Sequence, residues 1–414
     1  MDETQVQNEL GFDERQHELI FAGWDVTSRG MPSDIPFLSP EHIRKCCDFC
    51  QAGEILCREL LRTAELVSAS PALKAFVWHV FDRLALHPVI PNDPGYGSFA
   101  DWPIPNLPEG MERHFYRLAY LAIVPLAIDS YRQRGIPEYI IRDTLRIEPS
   151  NAIFDPRVLA WSRHYQNGEI YRIGRFQFMV YLNNHSGLVL KNKKNGHKLM
   201  VCGPGVRLDK DGLFSIQGKE SADDCISPFV ETPDSVRGFP INPNGFVELQ
   251  CHTCNLAEWK IVLRPGQALI DMHIPAGGGM TLDICRQSFN EAFGFFEKYL
   301  PGKALPIIRC HSWIFNTELE PLLPDSNIAR LMRECYVHPW RSTGTDGMFF
   351  LFGSQKFETW KEYPHDTSQR RALLHILESG RQLHCGGMLL FKEDMPHFGT
   401  SYYRRNYLFG RKMA

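Results

Sequence analysis

Asp271 and His273 lie two residues apart, and so do Arg309 and His311, in two segments that read as strands. Side chains alternate across a strand, so each pair shares one face, and Trp313 extends the second face. Where the two faces coincide, a carboxylate, a guanidinium and two imidazoles gather. A histidine titrates near neutrality and suits the role of general base. Other readings stay open: Asp271 paired only with Arg309, and His273 and His311 as satisfied core or interface histidines. Cys310 beside His311 raises a third, a nucleophilic thiol in a hydrolase. Adjacent strand residues face opposite ways, so another histidine, such as His273, would have to serve that thiol as base, and a packed thiol is the plainer reading.

These residues sit in a strand, loop, helix and strand running from 266 to 315. Gln267 to Ile274 is apolar enough for a buried strand and runs into Pro275-Ala276-Gly277-Gly278-Gly279. Thr281 can cap a helix whose stripe is Cys285, Phe289, Ala292, Phe293, Phe296 and Tyr299. After Pro306, Ile307 to Phe315 reads as the second strand. Glycines opening a helix let N–H groups approach a phosphate, and the helix dipole favours the anion. Asp283 in the first turn opposes that use, and Arg286 offsets it. The spacing is neither a dinucleotide fingerprint nor a Walker loop, and a plain turn is the alternative.

The chain changes character near residue 168, which divides a helical domain, 1–168, from a strand-rich domain, 169–414. Ser39-Pro40-Glu41 and Ser70-Pro71 are helix starts, a capping serine followed by proline. The first helix is expected to run towards Val67. Leu73, Phe76, Val77, Val80, Phe81 and Leu84 follow at helical spacing. Further helices are expected over Met111 to Arg134, Pro137 to Leu145 and Pro156 to Tyr165, with one long irregular connection from His87 to Gly110. In the second part, Asn195-Gly196 marks a hairpin between Gly187–Leu190 and Lys198–Val201. The lysines at its tip, Lys191, Lys193, Lys194 and Lys198, read as a solvated loop. Strands are also expected over Ile170 to Tyr181, Phe246 to His252 and Trp259 to Leu263.

The 414 residues carry 45 Lys and Arg against 48 Asp and Glu, a formal charge of -3. That balance gives no positive field for general nucleic-acid binding. No stretch reaches the length of a membrane span, and the acidic N-terminus lacks the apolar core of a signal peptide. A cytoplasmic protein without a membrane or nucleic-acid partner is expected. Twelve cysteines fit a reducing compartment as packed thiols. The pairs Cys47/Cys50 and Cys251/Cys254 lie too far apart in sequence for the usual zinc knuckles, so no metal is expected.

His273-Ile274-Pro275-Ala276-Gly277-Gly278 with Cys285 and Phe295-Phe296 resembles a family of bacterial acyltransferase-domain proteins. So do Cys310-His311-Ser312-Trp313, Leu322-Leu323-Pro324 with Ser326-Asn327-Ile328, and the opening run Tyr171-Arg172-Ile173-Gly174-Arg175-Phe176-Gln177-Phe178. Thr367-Ser368-Gln369-Arg370 and Gly386-Gly387 also fit. The resemblance is strongest from 170 to 390. It implies an α+β protein, an all-α N-terminal domain followed by a GNAT-like mixed domain with a central, partly parallel sheet. It implies acetyl-CoA or another acyl-CoA as co-substrate, bound where two parallel strands splay, with pantetheine continuing the strand to Ile274. The pyrophosphate would sit on Gly277, Gly278 and Gly279 near Arg286. The loop departs from the usual GNAT pattern, which has Arg or Gln before two spaced glycines. Direct transfer to a small-molecule or peptide amine would use His273, His311 and Asp271 as base machinery and Tyr336, at the end of a helix from Asn327 to Cys335, as acid. A GNAT-like ligand-binding sensor without turnover is the alternative function. The helical domain would support or cover the acceptor side, and the insert from Gly203 to Gly245 would line the same cleft.

Overall fold

The computed structural model describes residues 1–86, 102–148, 154, 156–353 and 360–409. Packing divides the chain into two compact units, Met1–Arg172 and Ile173–Ala414.

The first unit is helical. Its main helices are α1 (Pro40–Phe49), α2 (Glu54–Ala69), α3 (Pro71–Phe81) and α4 (Phe115–Gln133). Ser39 accepts the His42 N–H and Ser70 the Leu73 N–H, so both serine caps close their helices. The helix from Pro40 does not run through to Val67. It stops at Cys50, and the chain turns through left-handed Gln51 and Gly53 before α2 begins. The expected helix from Met111 begins later, at Phe115, after a 3-10 segment over Pro108–His114. Residues 87–101 of the expected irregular connection lie outside the described residues.

The second unit is built on a six-stranded sheet: β1 (Ile170–Ile173), which carries the boundary between the units, β2 (Phe176–Leu182), β3 (Ala268–His273), β4 (Ile307–Ser312), β5 (Tyr336–Pro339) and β6 (Gly386–Phe391). Its order is β1-β2-β3-β4-β6-β5. β3 and β4 are parallel, and β3 pairs β2, β4 pairs β6, and β5 pairs β6 antiparallel. The crossover from β3 to β4 is helix α5 (Leu282–Tyr299), which buries Cys285, Phe289, Ala292, Phe293 and Phe296. Phe289 stacks on Phe176 of β2, with centroids 5.5 Å apart. Helices α6 (Asn327–Glu334) and α7 (Ser368–Glu378) follow, capped by Ser326 and Thr367.

A second, five-stranded sheet holds the expected hairpin, with Leu188–Asn192 antiparallel to Lys198–Val201. One lysine of that hairpin is not solvated. The Lys198 side chain is fully buried, and its ammonium contacts Asp394 and Glu393, each at 2.9 Å. Two carboxylates from the turn after β6 balance a charge that would otherwise be costly to bury. The stretch expected as one strand from Phe246 to His252 is instead two short strands, Phe246–Val247 and His252–Asn255.

Candidate active site

Cross-strand register brings the chemistry together. Asp271 on β3 lies opposite Arg309 on β4, and Arg309 lies opposite Leu389 on β6. Residues opposite one another point to the same face. Two residues on, His273 ends β3, His311 lies opposite Gly387, and Gly387 lies opposite His338 of β5. Asp271, His273, Arg309, His311 and His338 therefore share one face near one end of the sheet. Trp313 does not extend the strand, because β4 ends at Ser312 and Trp313–Phe315 forms a 3-10 turn.

The parallel ladder between β3 and β4 has only two registered pairs, Ile270↔Ile308 and Asp271↔Arg309. Beyond them each strand keeps only its outer neighbour. Met272 and His273 pair with Phe178 and Gln177 of β2, and Cys310, His311 and Ser312 pair with Met388, Gly387 and Gly386 of β6. The two middle strands thus part where the histidines stand.

Asp271 is the hub. Its Oδ1 accepts from Arg309 Nε at 2.7 Å, and its Oδ2 lies 3.2 Å from His273 Nε2. Burial by itself would raise the Asp271 pKa, but the hydrogen bond from His273 and the charge of Arg309 outweigh it and hold the carboxyl below its usual value. Arg309, 2% exposed, also donates to Asn184 Oδ1 at 2.7 Å. The pairing of Asp271 with Arg309 and its contact with His273 thus occur together. His273 is half-buried and His311 stacks on Trp340 with centroids 3.4 Å apart. Burial, reinforced by nearby His338 and Arg309, pushes the His311 pKa well down, so that ring is neutral at pH 7.

Two further imidazoles complete the group, and sequence reasoning missed both. His338 donates from Nδ1 to the Pro339 carbonyl at 3.0 Å, which leaves Nε2 as an acceptor. His185 accepts the Gly187 N–H on Nδ1 at 2.9 Å, which places its proton on Nε2. The two rings meet edge to face with centroids 4.9 Å apart. The Nε2 atoms of His185, His311 and His338 are buried without a hydrogen-bond partner. Gly387 makes this crowding possible: a β-carbon there would stand 2.2 Å from His338 and 2.7 Å from His311. The only signal in sequence was polar composition, His338-Pro339-Trp340 and Asn183-Asn184-His185-Ser186, with nothing local to link the two runs.

The glycine loop continues from β3 into α5. Gly277, Gly278 and Gly279 are exposed. Arg175, in the turn between β1 and β2, donates to the carbonyls of Pro275, Gly277 and Gly278 at 2.9–3.0 Å. Its side chain therefore gathers the loop carbonyls on one side. Gly174 fits that turn because its φ is +59° and a β-carbon would meet Ser288 Oγ at 2.5 Å.

Two expected site residues lie elsewhere. Tyr336 does not end a helix; it opens β5, fully buried. Its hydroxyl donates to the Ile241 carbonyl and accepts the Met200 N–H, bracing one sheet against the other. Burial pushes its pKa up, and with both roles filled it is not placed to protonate a leaving group. Arg286 donates to the Phe398 carbonyl at 2.7 Å and lies over the Phe398 ring, so it ties α5 to the C-terminal segment. Ile274 lies where β3 passes into the loop, half-buried. All twelve cysteines are free thiols. Burial pushes Cys310 well above the ordinary thiol range, which disfavours a thiolate nucleophile. Among the described residues no group of three or more His, Cys, Asp or Glu side chains could hold a metal ion, and no helix is long and apolar enough to cross a membrane.

A mixed sheet whose parallel middle strands part beside a glycine loop and a helix N-terminus is a GNAT-like arrangement. The chain belongs to the family with the GNAT-like C-terminal domain, matched over residues 170–389, and residues 43–147 match the N-acyltransferase N-terminal domain. No curated protein matches it. Solved structures share the fold across both regions. An acyltransferase in complex with decanoyl-CoA and teicoplanin has a TM-score of 0.59 at 18% identity, over 94% of this chain and 99% of that one. An acyltransferase mutant with octanoyl-CoA, and an acyltransferase with CoA and 10C-teicoplanin, each score 0.58 at the same identity and coverage.

Proposed function

We propose that this protein transfers an acyl group from acyl-CoA directly to an amine. The observation that carries the reading is the parting of β3 and β4 after Asp271 and Arg309, with the glycine loop at the end of β3. The pantetheine arm of CoA can take up the open strand edge at Met272 to Ile274. The pyrophosphate then meets Gly277 to Gly279 at the N-terminus of α5. Arg175 supports that placement because three loop carbonyls point at its guanidinium and its positive charge lies beside the loop. The related structures with decanoyl-CoA, octanoyl-CoA and CoA agree with this choice of co-substrate.

In this reading Asp271 holds His273 through Nε2, so Nδ1 takes the proton. The incoming ammonium gives one proton to His273 and attacks the thioester carbonyl carbon. The tetrahedral adduct collapses, the C–S bond breaks, and the second nitrogen proton leaves as the thiolate is protonated to free CoA. His311, kept neutral by burial, stands across the gap from His273 and can donate a hydrogen bond to the developing oxyanion.

Calorimetry with CoA and acetyl-CoA, beside a Gly278→Glu variant, tests the binding half. Nothing lies within 4 Å of a β-carbon at Gly278, so the variant should fold. Its carboxylate should repel the pyrophosphate and lower affinity at least tenfold. Equal affinity in both proteins would remove CoA from this loop. His273→Gln should bind CoA as before and lose turnover, typically 10²–10⁴-fold for a general base. Binding of CoA without turnover of any amine would leave a sensor.

A further inference from the structure

Beside the histidine group lies a cleft of about 340 Å³ whose walls include Asn184, His185, Arg207, Ser215, Trp340 and Arg341. Its size is at the small end of ligand sites. Its lining includes no acidic residue, and it presents two exposed guanidiniums, Arg207 and Arg341, neither in a salt bridge with a described residue. His185 is 2% exposed, and its Nε2 has no hydrogen-bond partner. The same is true of the buried Ser215 Oγ. Buried polar atoms are nearly always paired, so two orphans in one cleft wall mark a place for a polar ligand.

The cleft wall is in contact with the reacting groups. Asn184 in its wall accepts from Arg309, Arg309 donates to Asp271, and Asp271 contacts His273. Trp340 in its wall carries His311 stacked on its face. A small molecule seated here lies against the residues that touch the reacting groups.

Resting on the acyltransfer reading above, we propose that this cleft is the acceptor site and that the acceptor is a small amine carrying a carboxylate or similar oxyanion. Arg207 and Arg341 hold the anion. Guanidiniums suit planar oxyanions because they offer paired N–H donors. The amine then reaches His273, and the step is the one balanced above: N–C bond formed, C–S bond broken, one proton to the thiolate and one to the base.

The test is calorimetry on the full chain with matched probes, in the presence and absence of CoA. Glycine, β-alanine and phenylalanine are compared with glycinamide, β-alaninamide and phenylalaninamide, and O-phosphoethanolamine with ethanolamine. The expected result is at least tenfold tighter binding of at least one anionic probe over its neutral partner. That preference should fall to within twofold in Arg207→Gln and Arg341→Gln, while both variants bind CoA as the wild type does. The carboxylate and phosphate arms rank the anion. Binding of no anionic probe, equal binding of neutral partners, or a preference that survives both substitutions would overturn the proposal. Failure of CoA to bind would instead remove the acyltransfer reading, and the probes titrated alone would still judge the cleft.

Discussion

A single methyl group on Gly387 tests the register that assembles the site. In Gly387→Ala the new carbon would stand 2.2 Å from His338 Cε1, 2.4 Å from its Nε2 and 2.7 Å from His311 Cδ2. Unstrained carbon contacts lie near 3.5–4.0 Å, so the His338 ring must retreat by more than about 1 Å. Little room exists for that. His338 is 1% exposed and its Nδ1 is tied to Pro339, while His311 is stacked on Trp340. Overpacking a dense core in this way costs about 1–3 kcal/mol. For a unit of this size each kcal/mol lowers the melting temperature by about 2–4 °C. Displacing His311 by about 1 Å should also cut turnover on the order of 10²-fold. The assay is thermal unfolding and CoA release for Gly387→Ala beside Gly302→Ala, which adds the same methyl group where nothing lies within 4 Å. If the two variants melt together and turn over at the wild-type rate, the close approach of His311 and His338 across β6 is wrong.

Asp271→Asn removes the charge facing buried Arg309 and the anchor of His273; loss of one partner of a buried pair costs about 3–5 kcal/mol, and the asparagine oxygen that remains near Arg309 puts the variant at the low end. Urea unfolding should show that loss and the acyl-transfer assay a fall in kcat; wild-type behaviour in both would dismiss the hub. Tyr336→Phe should lower stability by about 1–3 kcal/mol, because the Met200 N–H and Ile241 carbonyl lose their partner, and should leave kcat intact; lost turnover in a stable variant would restore the tyrosine as acid. Stability should also fall with acid. Burial lowers the His338 pKa from 6.5 to about 4, and His185 and His311 are shifted the same way. The unfolded chain then binds more protons than the native one below pH 6.5. The His338 contribution is complete above that pH and falls by about 3 kcal/mol as pH drops to about 4. Across that range the wild type should lose more stability towards acid pH than His338→Phe does, read from urea midpoints; parallel curves would mean the histidine is not held neutral.

Much of the site was legible because its signals are local. Strand alternation put Asp271 with His273 and Arg309 with His311, and a turn of three glycines before Thr281 announced the loop and helix. Serine caps at 39 and 70 and the Asn195-Gly196 hairpin depend on hydrogen bonds within a few residues, so they could be read directly. The break at Cys50–Gly53 is equally local, but apolar spacing continues across it and masks it.

What the sequence by itself determined, then, is many of the elements and the face that Asp271, His273, Arg309 and His311 take on their own strands. Only the tertiary structure decided which faces meet. The register of β4 against β6 and of β6 against β5 brings His311 to Gly387 and His338, residues separated by long stretches of chain. No local signal joins His185 to that group, or Asn184 to Arg309. Burial, too, was decided by packing: it withdrew Lys198 from solvent and committed the Tyr336 hydroxyl to two backbone groups. Side-chain alternation and capping follow from steric and hydrogen-bonding rules within one turn or strand. Register and burial follow from which distant surfaces exclude water together, and that is a property of the whole folded chain.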